Sequence, residues 1–529
     1  MTVAEYIASE LKKRGIKYVF GIPGGPSLAY IKAFKAEGIR FILTSNEAAA
    51  GIMADVTGRI TGLPGICHAT FGPGATNLST GIGGALLDRS PVIAFTSQVP
   101  AKMKRRTVQM NIDHQMLFEP ITKATTEINN ETISDVLNDA FELTMAEYPG
   151  PVHIGLPSDQ ADKEVTVTKN IRDEQNTETQ IELDSEILDL LRYSKKPVLA
   201  VGLTAKRAQI KGELNAFLAK FPMPVIITPM AKGVISEDND CYAGVLFHAA
   251  SDKLNEILQE ADLVIGLGYD PVEYNYEAWM PDVPLIHFNT IRTDMPDHLM
   301  VRQVVAPVRG ILPLIEAVVF EPIAWRKEEV SECRHSISRM LMKNSTSFGP
   351  VDVINTLNEY LPENLVLTID VGSHIHLFGQ YWRTGNNRTI FMTNGWSGMG
   401  FGIPAAIGAA LNIPDKPVAC VTGDGGFLMM CGEIVTARRL NLGILFIVLA
   451  DNELNLIRLK EEKNGIKDFN TGLSDKSLLG EKTFLGTPVI RCESKTELEN
   501  IVSKVYPLDE PLILELLIDP SDYKDLVVV

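Results

Sequence analysis

The chain is poor in cysteine, in basic residues and in long apolar runs, and each shortage removes a class of protein. Its six cysteines, Cys67, Cys241, Cys333, Cys420, Cys431 and Cys492, are scattered through 529 residues with no CxxC pair. Neither a disulfide framework nor a zinc site is expected, and a reducing, cytoplasmic location fits. Basic residues number 49 against 66 acidic ones, a net charge of -17, which repels nucleic-acid phosphates and anionic lipid alike. The one short basic run, Lys102, Lys104, Arg105 and Arg106, reads as a solvated loop. No stretch approaches the roughly 18 apolar residues a membrane span needs. The opening MTVAEYIASELKKRG reads as an amphipathic helix carrying acidic residues, unlike a leader. Nucleic-acid and membrane partners are therefore not expected.

What remains is the balance of an ordinary globular protein, 45% hydrophobic and 22% charged, in a chain too long for one core and of a length for about three domains. Val- and Ile-rich bursts alternate with helical patterns, first in KYVFGIPG, ICHATFGPGATN, SPVIAFTSQ and GPVHIGLP. That alternation is the βαβ signal of a parallel sheet covered on both faces. A polar linker is expected over residues 164–185. A second run, with KKPVLAVGL, MPVIITP, ADLVIGLGYD and PLIHFN, fades near residue 320. The charged stretch WRKEEVSECRHSISRMLMKNSTSFGP is then read as a second connector, and a third run holds NLVLTIDVGSH, KPVACVTGDGG, LGILFIVLADN and EPLILELLIDP. The expected fold is α/β, three open parallel-sheet domains over 1–163, 186–322 and 348–529. The first and third look alike in pattern without a residue-level repeat.

Chemistry concentrates in GDGGFLMMCGEIVTARRLNLGILFIVLADNELN. One strand ends at Gly423, Asp424, Gly425 and Gly426 and the next at Asp451, so two carboxylates project from strand ends at one crevice, where open α/β folds bind ligands. Magnesium takes a few hard oxygens together with phosphate oxygens and water, so two carboxylates beside a glycine turn and a helix start suit a metal-bound diphosphate. A GDG turn alone ends many strands; the second aspartate is what lifts it.

The GDG triplet with Ala450-Asp451 some two dozen residues on resembles the magnesium clamp of thiamine-diphosphate enzymes. The resemblance implies Asp424 and Asp451 as carboxylate ligands and Glu453 as a ligand through its backbone carbonyl. The family's usual second ligand is Asn; catabolic acetolactate synthases also carry Asp. The segment SNEAAAGIMADVTGRITGLPGICHATFGPGATN resembles the pyrimidine-binding region and places Glu47 on the catalytic glutamate, whose carboxyl drives the aminopyrimidine into the imino form that deprotonates the thiazolium. Gly72 and Asn77 belong to the same segment, and Gly24 and Gly25 would let the chain pass near the cofactor ring. In TNGWSGMGFGIPAAIGAAL, Met399 falls on the bulky residue beneath the folded cofactor, with the Ser397 carbonyl and Met399 amide on the pyrimidine edge. DVGSHIHLFGQYW puts Gly372, Ser373 and His374 at the phosphate end. The pyrimidine-binding, central and diphosphate-binding domains of the family thus correspond to the three runs.

The whole-chain likeness, including IGLGYDPVEYNYEAWM and EPLILELLIDPSDY, is to acetolactate synthases of the catabolic, flavin-independent type. It implies decarboxylation of pyruvate, ligation of the two-carbon unit to a second 2-oxo acid, and a homodimer or homotetramer with active sites between subunits. Two positions depart from the pattern. The loop TVQMNIDHQMLFEPITK has Met110 where the family presents Gln, leaving Gln109 one residue displaced. Position 460, Trp in biosynthetic and Gln in catabolic enzymes, is Lys460, which would face either an acceptor carboxylate or its acidic neighbours. The stretch GIKDFNTGLSDKSLLGEKTFLGTPV reads as a changed lid. FAD stays open as a further cofactor without being favoured. The competing assignments are a 2-oxo acid decarboxylase, a pyruvate oxidase, a sulfoacetaldehyde acetyltransferase and a non-catalytic homologue.

Overall fold

The computed structural model describes residues 1–166, 182–318, 320–342, 347–466, 470–474, 477, 479 and 482–526. Most of the 164–185 linker, and part of the stretch 465–489 expected to form a changed lid, lie outside them. Three parallel-rich sheets account for the three runs. The first contains β1 (Tyr18–Ile22), β2 (Arg40–Leu43), β3 (Gly65–Ala69), β4 (Val92–Gln98), β5 (Ala124–Glu127) and β6 (Pro151–Pro157), in the order β2-β1-β3-β4-β6-β5 and parallel throughout. The second contains β7 (Pro197–Val201), β8 (Val225–Ile227), β9 (Tyr242–Val245), β10 (Leu263–Leu267), β11 (Leu285–Asn289) and β12 (Val301–Val305), ordered β12-β11-β10-β7-β8-β9. The third contains β13 (Val366–Ile369), β14 (Thr389–Phe391), β15 (Val418–Gly423), β16 (Ile444–Ala450), β17 (Thr483–Phe484), β18 (Thr487–Cys492) and β19 (Leu512–Leu517). Its order is β14-β13-β15-β16-β19-β18-β17, with only β17 antiparallel to its neighbour. The central strands β4, β7, β10 and β16 are buried along their whole length, which is why each reads as an unbroken apolar burst rather than an alternation.

Each sheet reverses its winding beside its first strand, and an open α/β sheet places its crevice outside the carboxyl ends at that reversal. In the first sheet this falls between β1 and β3, and in the third between β13 and β15. The cores are not confined to single domains. One joins the first domain to the third through small-residue helices, with Ala49, Met53 and Ala54 of the helix Glu47–Thr61 beside Ala405, Ala406 and Ala409 of the helix Gly402–Asn412. Another joins the second domain to the third. The stretch read as a second connector is in part a packed element. Its helix Lys327–Arg339 buries Val330, Cys333 and Ile337, one apolar edge spaced three and four residues apart on an otherwise charged helix. Among the described residues no helix is long and apolar enough to cross a membrane.

Candidate active site

At the reversal of the third sheet, β15 runs into the helix Asp424–Met430, and β16 ends one residue before Asp451. β15 and β16 pair in parallel with Gly423 opposite Leu449, so the two aspartates leave neighbouring strand ends. Asp424 is buried, and its carboxylate accepts the Gly425 N–H at 2.8 Å and the Asn452 N–H at 2.6 Å. Asp451 accepts the Glu453 N–H at 3.3 Å. Burial pushes Asp424 up to about 6. Asp451 is pushed up to about 7, by burial first and then by the charge of Asp424. Two carboxyls held this far from their ordinary range are a pair that a cation would recharge. The Glu453 carboxylate is engaged elsewhere, with Arg458 at 2.7 Å and Thr471 at 2.9 Å.

A cavity of about 220 Å³ opens beside this pair, lined by Gly372, Ser373, His374, Ser397, Met399, the 423–426 turn, Asp451, Glu453, Asn455 and Tyr523 among others. Ser373 Oγ, His374 Nε2 and both side-chain polar atoms of Asn455 are buried without a protein partner, and native interiors rarely leave such atoms unpaired. Burial pushes the His374 imidazole down to about 3, so it is neutral. Ser373 begins a helix, Ser373–Tyr381, and Asp424 begins another, so main-chain N–H groups converge on the same cavity. Orphaned donors, helix starts and a carboxylate pair are the partners a metal-bound diphosphate needs, and the residues present fit that group. Among the described residues no three His, Cys, Asp or Glu side chains cluster as a metal site. A cation here would draw its remaining ligands from main-chain, phosphate or water oxygens, the habit of magnesium.

The turn that brings Ser397 and Met399 to the cavity is secured by Asp370, which the sequence did not single out. It is fully buried after β13 and accepts the Val371 N–H at 2.7 Å, the Gly400 N–H at 2.8 Å and the Thr422 hydroxyl at 3.0 Å. An acidic residue closing an apolar strand was the available signal. Ser397 takes a left-handed φ of 53°.

The second group lies at the reversal of the first sheet. Glu47 begins the helix Glu47–Thr61, N-capped by the Asn46 side chain, and its buried carboxylate accepts Asn77 Nδ2 at 3.2 Å. Gly24 and Gly25 follow β1. A Cβ on Gly24 would lie 2.2 Å from Thr70 Oγ1, whereas Gly25 faces open space. Gly72, with a φ of 64°, is overlaid so closely by the 108–113 loop that a Cβ would lie 2.7 Å from the Met110 carbonyl oxygen. Met110, itself left-handed at φ 62°, backs onto Gly72, while Gln109 stands exposed. Lys460 is also exposed, on the helix Asn455–Lys463 whose first turn lines the cavity.

The predicted residues therefore assemble as two groups. Gly372 to Glu453 share the cavity; Glu47, Asn77, Gly72 and Gly24 gather elsewhere and line no part of it. A third-domain residue nevertheless reaches the Glu47 group. The buried carboxylate of Glu433 accepts the Ser45 N–H at 2.7 Å and the Asn46 N–H at 3.0 Å, and so fixes the loop that presents Glu47.

Comparison with known proteins covers all three domains. Three family models match in order: the thiamine pyrophosphate enzyme N-terminal TPP binding domain over residues 1–117, the central domain over 185–315 and the C-terminal TPP binding domain over 370–516. The chain is 28% identical to an acetolactate synthase of Bacillus subtilis, covering 98% of this chain and 93% of that protein. It is 28% identical to a catabolic acetolactate synthase of Raoultella terrigena, covering 99% and 95%. With the large subunit of acetolactate synthase isozyme 1 of Escherichia coli it shares 31% identity over 87% of this chain and 83% of that one.

Proposed function

Because the chain belongs to the thiamine-diphosphate-dependent acetolactate synthase family, we propose that it decarboxylates pyruvate and joins the two-carbon unit to a second 2-oxo acid, with thiamine diphosphate and magnesium as cofactors. The observation that carries this reading is the buried carboxylate pair, Asp424 with Asp451, beside unpartnered Ser373, His374 and Asn455 atoms in one cavity. Asp424, Asp451 and the Glu453 carbonyl would hold the metal. Gly425, Gly426, Ser373 and neutral His374 would hold the diphosphate through N–H and O–H groups.

Bound thiamine diphosphate supplies the electron sink for loss of carbon dioxide. The chain's own part is placement and proton control. Glu47, its carboxyl oriented by Asn77, would face the pyrimidine ring and promote its imino form. Met399 would support the folded cofactor from below, and the apolar walls from Leu449, Leu454 and Ile457 would keep water from competing with the second 2-oxo acid. Lys460, on the outer face of the adjoining helix, is assigned to attract substrate carboxylates.

Glu47 lines no part of the Asp424 cavity, and exposed Leu428, Met429 and Val435 flank the helices beside it. Both observations favour a homodimer or homotetramer in which a second copy completes each site. Flavin is not part of the proposal; a purified protein carrying a flavin absorbance band would add it. The deciding experiment incubates pure protein with magnesium, thiamine diphosphate and pyruvate alone. Acetolactate supports the reading; acetaldehyde or acetyl phosphate replaces it with a decarboxylase or an oxidase.

A further inference from the structure

The turn 393–399 that carries Ser397 and Met399 is gripped from outside its own domain. Asp88, which ends the first-domain helix Pro73–Leu87, accepts the Gly395 N–H at 2.9 Å and the Asn394 N–H at 3.3 Å on one carboxylate oxygen. Its other oxygen accepts Arg59 Nη2 at 3.0 Å. Arg59 is bidentate to Asp55, at 2.6 and 2.7 Å, donates to Ser90 Oγ at 2.9 Å, and donates through Nη1 to the Met392 carbonyl at 2.8 Å. Asp55 and Asp88 are each 2% exposed. One guanidinium and two carboxylates thus hold both the entry to the turn and the turn itself, and the Trp396 indole lies against Gly83 one turn before Asp88.

Docking of the two domains does not need this apparatus. The helices Glu47–Thr61 and Gly402–Asn412 already share an apolar core, and a buried ion pair adds little stability over apolar packing while its hydrogen bonds fix direction. What the clamp supplies is the orientation of a backbone. We propose that Asp88, seated by Arg59 and Asp55, is a positioning residue that sets the 393–399 backbone and with it the placement of Ser397 and Met399 in the cavity. The assignment rests on the thiamine-diphosphate reading of that cavity. It adds a first-domain group that acts on the pyrimidine-facing turn of the same chain, not on the diphosphate end.

The test compares wild type, Asp88→Asn and Arg59→Lys, each titrated with thiamine diphosphate plus magnesium and, separately, with inorganic diphosphate plus magnesium. Amide hydrogen exchange of residues 393–400 is followed in the ligand-free proteins. Positioning predicts thiamine diphosphate weakened about tenfold or more, inorganic diphosphate within about twofold of wild type, and exchange of the turn accelerated while β15 and β16 stay protected. Equal weakening of both ligands, or a turn that exchanges at the wild-type rate, overturns the proposal. Arg59→Lys keeps the charge and removes the fork, so it carries the test if Asp88→Asn does not fold. A wild type that binds inorganic diphosphate but not thiamine diphosphate would sink the cofactor reading alone, and the exchange rates would still decide the role of Asp88.

Discussion

Glu273 offers a direct check on the electrostatics of the three-domain junction. Its side chain is buried; one carboxyl oxygen accepts the Met230 N–H at 2.8 Å and stands 3.5 Å from Asn394 Nδ2, and the Thr228 hydroxyl lies on the carboxyl as well. Burial, with the charges of Asp270 and Asp88 acting the same way, pushes it from 4.5 up to about 8. Between those values the unfolded chain is ionised while the folded chain keeps its proton, so the contribution to stability is fully present below 4.5 and lost as pH rises through 8. At about 1.4 kcal/mol per pH unit the whole window is worth on the order of 5 kcal/mol. Glu273→Gln keeps the acceptor for Met230 and cannot ionise. Urea unfolding should therefore find variant and wild type close to equal near pH 5 and the variant more stable by a few kcal/mol near pH 8. Because unfolding entropy scales to roughly 1 kcal/mol per degree for a chain this long, the melting temperatures should part by about 3–5 °C at the higher pH. Stability curves that stay parallel from pH 5 to pH 8, or a variant weaker at pH 8, would refute the burial argument.

Three further substitutions probe the site. Glu47→Gln should lower turnover by at least about 100-fold while cofactor affinity, read by calorimetry, changes little, because the diphosphate is held elsewhere. Gly83→Ala places a methyl 2.7 Å from the Trp396 ring; the indole must move, and the expected outcome is shifted Trp fluorescence and a raised KM for thiamine diphosphate with folding intact. Lys460→Gln should raise the KM for pyruvate several-fold at low ionic strength, with the gap closing as salt screens an exposed charge; an equal gap in high salt would count against attraction of substrate.

The fold was legible because its central strands are buried on both faces. KPVACVTGDGG and LGILFIVLADN could hardly be anything but interior parallel strands, and their ends could only meet at a crevice. The carboxylate pair followed from that alone. Glu433, Asp370 and Asp88 did not, since an isolated acidic residue looks like a surface charge until its partner is known. The inter-domain partners of Glu433 and Asp88, Ser45 and Asn46 for the one and Asn394 and Gly395 for the other, lie more than 300 residues away in sequence. The helix Lys327–Arg339 has the sequence of a connector because Val330, Cys333 and Ile337 are its few apolar residues amid charge; their sparse spacing carries a signal that average hydropathy hides. The displaced Gln109 has a local cause: Met110 occupies a left-handed position over Gly72, so the loop's register is set by that contact rather than by a Gln facing inward.

The helix Glu47–Thr61 gives these contacts a common consequence. It is 15 residues long, about 22 Å end to end, and it is tied to the third domain near both ends. The loop before Glu47 hangs from Glu433, and near the far end of the helix Arg59, held by Asp55, donates to the Met392 carbonyl and to Asp88. An α-helix does not shorten, so a shift of the 393–399 turn that moves Arg59 also moves Glu47. In the proposed two-copy arrangement, Glu47 serves the cavity of one copy while Asp88 and Arg59 hold the Met399 turn of the other. Closing that turn on a cofactor would then displace the glutamate of the neighbouring site, so the second cofactor of a dimer should bind with an affinity different from the first, and Asp88→Asn should bring the two affinities together.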